Sequence, residues 1–311
     1  MKTKYWFFVT ILAIVVYTII VIISDFEKLI DSLQNAKIEF IILGSSVVFI
    51  GLIPRSFRWY LMIKELGIQV HWKQVIPIYF SGLVFGLSPG RLGEVAKSVY
   101  LKRLVDAPIK KTAPTILVER LLDVFAVLTI SLIAFLVIGE QHVMIVVSFL
   151  ILLTCLLLIY KKEYLIKILN KTQHIRFLGK LSENLITSID VVFLLLKPKI
   201  LSKMFVLSVI SWMIESLVVF FVLKAFDIEL SVMQSAFIYV TSSLVGAASL
   251  LPGGIGITEG GLIGLLLLEN ISIEKSIGPV IIIRSITLWM LIIFGAIISK
   301  LTEIFILRKK N

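Results

Sequence analysis

The feature that most constrains this sequence is a proline–glycine interruption at the end of an apolar run. The run Val75–Leu87 is followed at once by the residues SPGRLGE, from Ser88 to Glu94. A helix needs roughly 20 apolar residues to cross a bilayer, and this run is shorter. Irregular backbone and charged side chains at membrane depth occur where the chain is buried in protein or lines a wet cavity. The segment Val75–Tyr100 is therefore predicted to be a broken helix that lines a functional site.

A second interruption of the same kind lies far downstream, in the apolar segment Ser235–Leu268. There the residues LLPGGIGITEGG run from Leu250 to Gly261. Proline removes a helical N–H donor and glycine admits unusual backbone angles, so a helix is expected to break at both places. We expect the two breaks to face each other and form one transport site. The residues expected to form them are Pro89, Gly90, Gly93, Pro252, Gly253, Gly254 and Gly256.

The composition is that of a membrane protein. The chain has 311 residues, of which 59% are hydrophobic, and apolar runs of membrane-spanning length recur along it. The predicted fold is a single all-α polytopic membrane domain over residues 1–311, with about six full transmembrane helices and two broken segments. The full helices are expected at Tyr5–Ser24, Phe40–Ile53, Ala113–Ile138, Val143–Tyr160, Leu201–Lys224 and Ile277–Lys300.

The distribution of positive charge indicates orientation rather than nucleic-acid binding. The net charge is +11, but the lysines and arginines lie between apolar runs, as in cytoplasmic loops. This places both termini in the cytoplasm and the protein in the cell membrane. Both flanks of Val75–Tyr100 then lie inside and both flanks of Ser235–Leu268 outside, so each broken segment is predicted to be re-entrant. The basic stretch 161–200 is either an amphipathic helix on anionic lipids or a solvated linker.

Cysteine and histidine give no sign of a catalytic or metal site. Cys155 is the only cysteine, and His71, His142 and His174 are far apart in the sequence. The sequence contains no metal-ligand spacing and no nucleophile motif. We therefore expect no cofactor, no metal and no enzymatic activity.

The chain is predicted to contain an inverted repeat, with halves at 39–138 and 201–300. Each half has a helix, a proline–glycine break, and a helix with an arginine in its first turns. The spacing from Pro89 to Arg120 nearly equals that from Pro252 to Arg284. The predicted orientations of the halves are opposite, which is a recurring plan of membrane transporters.

Charged residues near the breaks form the candidate binding site. Free N–H groups at a broken helix and arginine side chains both suit a phosphate group, and carboxylates would balance the arginines when the site is empty. Two other interpretations stay open: the charges pair to hold helices together, and Arg58 is an interfacial anchor beside Trp59. The candidate residues are Arg58, Arg91, Glu94, Glu119, Arg120, Asp123, Glu215, Glu259 and Arg284.

Four motifs resemble one known family. They are FRW from Phe57, SPGRLGE from Ser88, VERLLD from Val118 and PGGIGITEG from Pro252. They are similar to motifs of the membrane domain of lysylphosphatidylglycerol synthases, which also occurs as stand-alone flippase-like proteins and beside archaeal glycosyltransferases. The resemblance covers nearly the whole chain and implies lipid translocation without the soluble synthase domain.

The resemblance implies a flippase for an anionic or phosphate-bearing lipid, either an aminoacyl-phospholipid or a polyprenyl-phosphate sugar. Two other functions stay open: an ion-coupled transporter of small solutes, and a non-transporting membrane partner of a lipid-modifying or glycosyltransferase enzyme. The expected partners are membrane lipids and such an enzyme, and no nucleic acid. The sequence leaves open whether the chain forms a homodimer.

Overall fold

The computed structural model describes residues 3–23, 26–138 and 188–310, and within these ranges the regular secondary structure is helical. The predicted helix Val143–Tyr160 and residues 161–187 of the basic stretch lie outside the described residues. Residues 188–195 are helical. The other helices are α1 Thr3–Ile23, α2 Phe26–Gln34, α3 Ile38–Glu65, α4 Trp72–Ser81, α5 Ala96–Val105, α6 Ile109–Thr112, α7 Pro114–Ile138, α8 Pro198–Ala225, α9 Val232–Ala248, α10 Ile257–Leu268, α11 Ile273–Arg284 and α12 Leu291–Lys310.

Several of these helices are long and apolar enough to cross a membrane. Among the described residues, three meet that criterion: α3, α8, and the continuous helix Ile273–Ile304, which joins α11 to α12 through a π-helical turn at Ser285–Met290. The pair Val9–Ile22 and Phe26–Gln34, bent by 96°, would make a fourth. The chain is therefore a multi-pass helical membrane protein.

The predicted end of the second helix at Ile53 is wrong. Pro54 lies inside α3, which continues to Glu65 and so carries Arg55 and Arg58 within the helix. Proline is tolerated in membrane helices where neighbouring groups pair with the backbone that it leaves free. Pro54 has no N–H to donate to the carbonyl of Ile50. The hydroxyl of Ser211 on α8 donates to the neighbouring carbonyl, that of Gly51, at 2.6 Å.

The centre of the molecule is the antiparallel pair of α3 and α8, each 28 residues long. At one end, the N–H of Lys37, just before α3, donates to the carbonyl of Ala225 at the end of α8, at 2.9 Å. At the other end, the Arg58 guanidinium donates to Ser208. The largest buried apolar cluster lies along this pair, with α7, α9, α10 and α11 packed around it.

The connections that follow α3 and α8 have the same local structure. Each is a six-residue turn whose second residue is left-handed, Gly67 with φ 76° and Asp227 with φ 56°. Each leads into a helix whose third residue is a glutamine, Gln74 or Gln234, whose side-chain oxygen accepts from the backbone N–H of the residue preceding the helix. Such a capping glutamine satisfies a backbone donor that the helix start leaves free.

Both predicted interruptions lie where the structure departs from the α-helix. After α4 the chain forms two 3₁₀ turns, Gly82–Leu87 and Pro89–Val95, before α5 begins. After α9 it forms one 3₁₀ turn, Pro252–Gly254, before α10 begins. The two breaks are in contact, because Leu87 from the first and Ile255 from the second share one buried apolar cluster with α1.

The last helix, α12, packs closely against the first break. This close approach is possible because residue 295 is a glycine. A Cβ atom at Gly295 would lie 2.6 Å from the backbone nitrogen of Val84 in the turn Gly82–Leu87. We expect Gly295→Ala to lower the free energy of unfolding in detergent by about 1–3 kcal/mol, as overpacking does. Thermal or denaturant unfolding measures it.

The matched control is Gly264→Ala in α10, where nothing lies within 4 Å of the added Cβ. Alanine is the better helix former, so this variant is expected to be as stable as wild type or more so. Equal stability of the two variants would contradict the packing described for Gly295.

Candidate functional site: two buried ionic clusters

The first-break cluster consists of Arg58, Glu94, Lys97, Glu119, Arg120 and Asp123. α3 supplies Arg58, the turn Pro89–Val95 supplies Glu94, α5 supplies Lys97, and α7 supplies the other three. On α7 the spacing from Glu119 to Asp123 puts both carboxylates on the face that meets α3. Three formal positive charges thus meet three formal negative charges inside the helix bundle.

Two cations bridge the three carboxylates. Arg58 Nη1 donates to Asp123 Oδ1 at 2.7 Å, and its Nη2 lies 3.6 Å from Glu119 Oε1. Lys97 Nζ donates to Glu94 Oε2 at 3.0 Å and to Glu119 Oε2 at 2.7 Å. Arg58, Lys97 and Glu119 are completely buried. Charges removed from water in this way persist only when they are paired.

Arg120 closes the cluster on the side that is partly open. Its Nη2 lies 3.3 Å from Asp123 Oδ2 and 3.6 Å from Glu94 Oε2. About a quarter (26%) of its side chain is exposed. These longer contacts leave the guanidinium with hydrogen-bonding capacity for another group.

Several buried polar atoms of the cluster lack hydrogen-bond partners among the described residues. They are Arg58 Nε and Nη2, Glu119 Oε1 and Arg120 Nε. Buried polar groups are nearly always hydrogen-bonded, so each of these atoms calls for an explanation. Arg91, three residues before Glu94, is half-buried with φ 56° and has no ion-pair partner within the described ranges. Arg58 Nη2 and Glu119 Oε1 face each other at 3.6 Å, so the spare donors of the cluster are the Nε groups of Arg58 and Arg120 and the guanidinium of Arg91.

A buried ion pair between Arg55 and Glu215 joins α3 to α8. The Arg55 guanidinium lies 4.7 Å from the ring centre of Trp212, and the Tyr239 hydroxyl donates to Glu215 Oε1 at 2.6 Å. Trp212 Nε1 also donates to Asp123 Oδ1 at 3.3 Å. Through Trp212 the pair is connected to the first-break cluster.

The second-break cluster consists of Tyr17, Glu259 and Arg284, around the turn Pro252–Gly254. Arg284 Nε donates to Glu259 Oε1 at 2.8 Å, and its Nη2 donates to the carbonyl of Gly253 at 2.7 Å. The Tyr17 hydroxyl donates to Glu259 Oε1 at 3.1 Å.

The glutamate also caps the helix that follows the break. The backbone N–H of Gly256, just before α10, donates to Glu259 Oε2 at 2.8 Å. A carboxylate in the first turn of a helix stabilises its positive end. Gly254 and Gly256 adopt left-handed angles, φ 67° and 87°, that favour glycine. This cluster fixes the shape of the second break.

The nine predicted site residues are thus divided between three places. Six of them lie at the first break, two at the second break, and Glu215 at the α3–α8 pair. Arg58 is completely buried and paired, which excludes the interfacial-anchor interpretation. No group of three or more His, Cys, Asp or Glu side chains in the described part of the chain is arranged to hold a metal ion.

Sequence reasoning missed Arg55, Lys97, Tyr17 and Tyr239. Spacing signals existed for two of them. Arg55 precedes Arg58 by three residues, and Lys97 follows Glu94 by three, so each shares a helical face with a residue that was selected. The two tyrosines gave no such signal, because they reach their carboxylates across long sequence separations.

The fold and the buried clusters define a multi-pass helical membrane protein with charged groups held inside the bundle. The chain belongs to the family of the lysylphosphatidylglycerol synthase transmembrane region, whose family model matches residues 10–295. It is similar to a UPF0104 membrane protein of Pyrococcus horikoshii, 26% identical over 93% of this chain and 95% of the relative. A UPF0104 membrane protein of Methanocaldococcus jannaschii is 25% identical over 72% of this chain and 95% of its own length.

The Arg55–Glu215 pair gives a stability prediction. Arg55→Met leaves Glu215 buried with only Tyr239 as a partner, so we expect a loss of about 3–5 kcal/mol in the free energy of unfolding. The double variant Arg55→Met/Glu215→Gln is expected to regain most of that loss. Unfolding curves of the purified proteins in detergent give the double-mutant cycle.

The control is Lys37→Met, which removes one partner of the exposed pair Lys37–Asp227. Exposed pairs contribute little to stability, so this variant should unfold like wild type. If Arg55→Met is as harmless as Lys37→Met, the buried pair does not join α3 to α8 as described.

Proposed function

We propose that this protein moves a phosphate-bearing lipid between the two leaflets of the cell membrane, with both termini in the cytoplasm. The observation that carries the proposal is the set of unpartnered guanidinium N–H groups in the first-break cluster. Guanidinium groups match the oxygens of a phosphate in geometry and charge. The headgroup would cross beside Arg58, Arg91 and Arg120, while the acyl or prenyl tails stay in the membrane.

We further propose that the halves 39–138 and 201–300 form an inverted repeat. Gly51 and Ser211 are in contact, and so are Arg55 and Glu215, and the members of each pair are 160 residues apart. When two helices are related by a two-fold axis, residues at equivalent positions of the two helices come into contact only where the helices cross that axis. The antiparallel course of α3 and α8 and the matching turns after them support the same assignment.

Equivalent ion pairs at the two breaks also support the repeat. In each half, a glutamate shortly after the proline pairs with an arginine from a later helix. The arginine follows the glutamate by 26 residues in Glu94–Arg120 and by 25 in Glu259–Arg284. Each break would be re-entrant, the first from the inside and the second from the outside.

In this proposal the two breaks differ in role. Arg284 donates to a carboxylate and to a carbonyl, so it positions the second break rather than binding phosphate as the sequence alone suggested. Glu259 shares that role, and Glu215 holds Arg55 where α3 and α8 cross. Glu94, Glu119 and Asp123 balance the arginines of the first break when no phosphate is bound.

The groups available at the first break support our proposal of lipid transport rather than catalysis. The first-break cluster contains arginine and lysine side chains that are paired with carboxylates, and among the described residues no side chain of the cluster is placed as a nucleophile beside a free base. A homodimer and a lipid-modifying or glycosyltransferase partner enzyme are compatible with this role.

The test is a leaflet-exchange assay with tail-labelled phosphatidylglycerol in liposomes that contain the purified protein. We expect wild type to expose inner-leaflet lipid to a quencher faster than protein-free liposomes do. Arg120→Ala should lower that rate by about tenfold or more, because charged hydrogen bonds contribute roughly 1.5–3 kcal/mol.

Arg103→Ala is the matched control, since Arg103 is half-exposed and pairs with Glu303 at the surface. It should transport like wild type. Wild-type liposomes that exchange lipid no faster than empty ones would refute transport of this lipid and favour a solute transporter or a non-transporting partner. An unchanged rate in Arg120→Ala would refute the site.

A further inference from the structure

We propose that Lys97 occupies the place of a headgroup ammonium, so that the site selects phosphate headgroups without a free amine. This inference rests on the proposed function and deepens it by naming the substrate class, since it excludes the amine-bearing aminoacyl-phospholipids that are one of the two lipid classes implied by the resemblance. It makes Lys97 a specificity-determining residue. Sequence reasoning did not select this lysine, and Lys102, the exposed lysine of the same helix, does not share its surroundings.

The surroundings of Lys97 Nζ are those of an organic-cation site. Two carboxylates accept from it, those of Glu94 and Glu119. The nitrogen also lies 4.7 Å from the ring centre of Tyr79 and 5.3 Å from that of Trp59. Carboxylates and aromatic faces together bind ammonium groups, and aromatic cages for such cations are well known. Here the cation comes from the protein itself.

The structure accommodates the whole lysine side chain, not only its charge. Gly82, in the first 3₁₀ turn, leaves the space through which the stem passes. A Cβ atom at Gly82 would lie 2.8 Å from both Cγ and Cδ of Lys97. The ring of Trp59 is fixed in turn, because its Nε1 donates to Thr115 Oγ1 at 3.0 Å. Lys97 is therefore a permanent occupant of the cage.

The resident cation changes which headgroups the cluster can accept. Because Lys97 pairs with Glu94 and Glu119, Arg58 and Arg120 are not the only cations that neutralise these carboxylates. With Arg91, which lies three residues before Glu94, the first break carries four cations against three carboxylates. A phosphate then meets net positive charge, whereas an ammonium group meets a filled cage and repulsion. Discrimination by such a repulsive element is a general route to specificity.

The test measures binding by the purified full-length protein in detergent. The probes are short-chain phosphatidylglycerol, short-chain phosphatidylethanolamine and inorganic phosphate. Wild type is expected to bind phosphatidylglycerol at least about tenfold more tightly than phosphatidylethanolamine, and more tightly than inorganic phosphate. Lys97→Met should reduce this preference by about tenfold or more, since the emptied cage then accepts an ammonium. Lys102→Met, exposed on the same helix, is the control and should keep the wild-type preference.

A second variant keeps the test decisive if Lys97→Met does not fold. That substitution leaves two buried carboxylates without their lysine. Gly82→Ala displaces the lysine stem but keeps every charge, so it should also weaken the preference. Gly86→Ala is its matched control, because nothing lies within 4 Å of a Cβ there and the residue belongs to the same turn.

Any of four results would overturn the inference. Three of them are equal wild-type binding of the two lipids, binding of neither lipid, and an unchanged preference in both Lys97→Met and Gly82→Ala. Inorganic phosphate bound as tightly as phosphatidylglycerol would assign the site to free phosphate and so overturn its lipid specificity. Failure of the proposed function is separate: it would appear as wild-type protein that binds phosphatidylglycerol selectively but does not speed its exchange between leaflets.

Discussion

Pairing of buried charge is the constraint on which the rest of this structure depends. Arg55, Arg58 and Lys97 lie inside the helix bundle, where an unpaired charge would be very costly. Their carboxylate partners come from α7, α8 and the first break. Each ion pair therefore ties two elements together, and the arrangement of α3, α5, α7 and α8 follows from satisfying all the pairs at once. Apolar packing alone gives little orientation between helices in a membrane.

At both breaks, backbone groups lose their helical hydrogen-bond partners. The two breaks differ in how completely the nearby side chains are hydrogen-bonded. At the second break, Arg284 and Glu259 satisfy both a carbonyl and an N–H of the interrupted chain. At the first break, Arg120 and Glu94 are 3.6 Å apart, and guanidinium donors remain without partners among the described residues. A rigid second break beside an incompletely satisfied first break is the arrangement on which the proposed phosphate site rests.

Much of the fold could be predicted from local sequence, and the pairings of the site could not. Hydropathy and the two proline–glycine motifs were sufficient to indicate a helical membrane protein with interrupted helices near residues 89 and 252. Pro54 misled the prediction, because Ser211 on another helix supports the backbone beside it. Lys97 and Arg55 were missed because their roles depend on Glu119 and Glu215, which are distant in sequence. Spacing could place Arg55 on the face of Arg58 and Lys97 on that of Glu94, but the contacts with Glu215 and Glu119 are set by tertiary packing.

We propose that the arginines of the first break bind a lipid phosphate inside the membrane. The most direct measurement is ³¹P–¹⁵N distance determination by solid-state NMR, on protein with ¹⁵N-labelled arginine in phosphatidylglycerol bilayers. We expect close phosphorus–nitrogen contacts, of which those from Arg58 and Arg120 disappear when both residues are replaced by lysine with its nitrogen unlabelled. A spectrum in which that double replacement removes no close contact would contradict it.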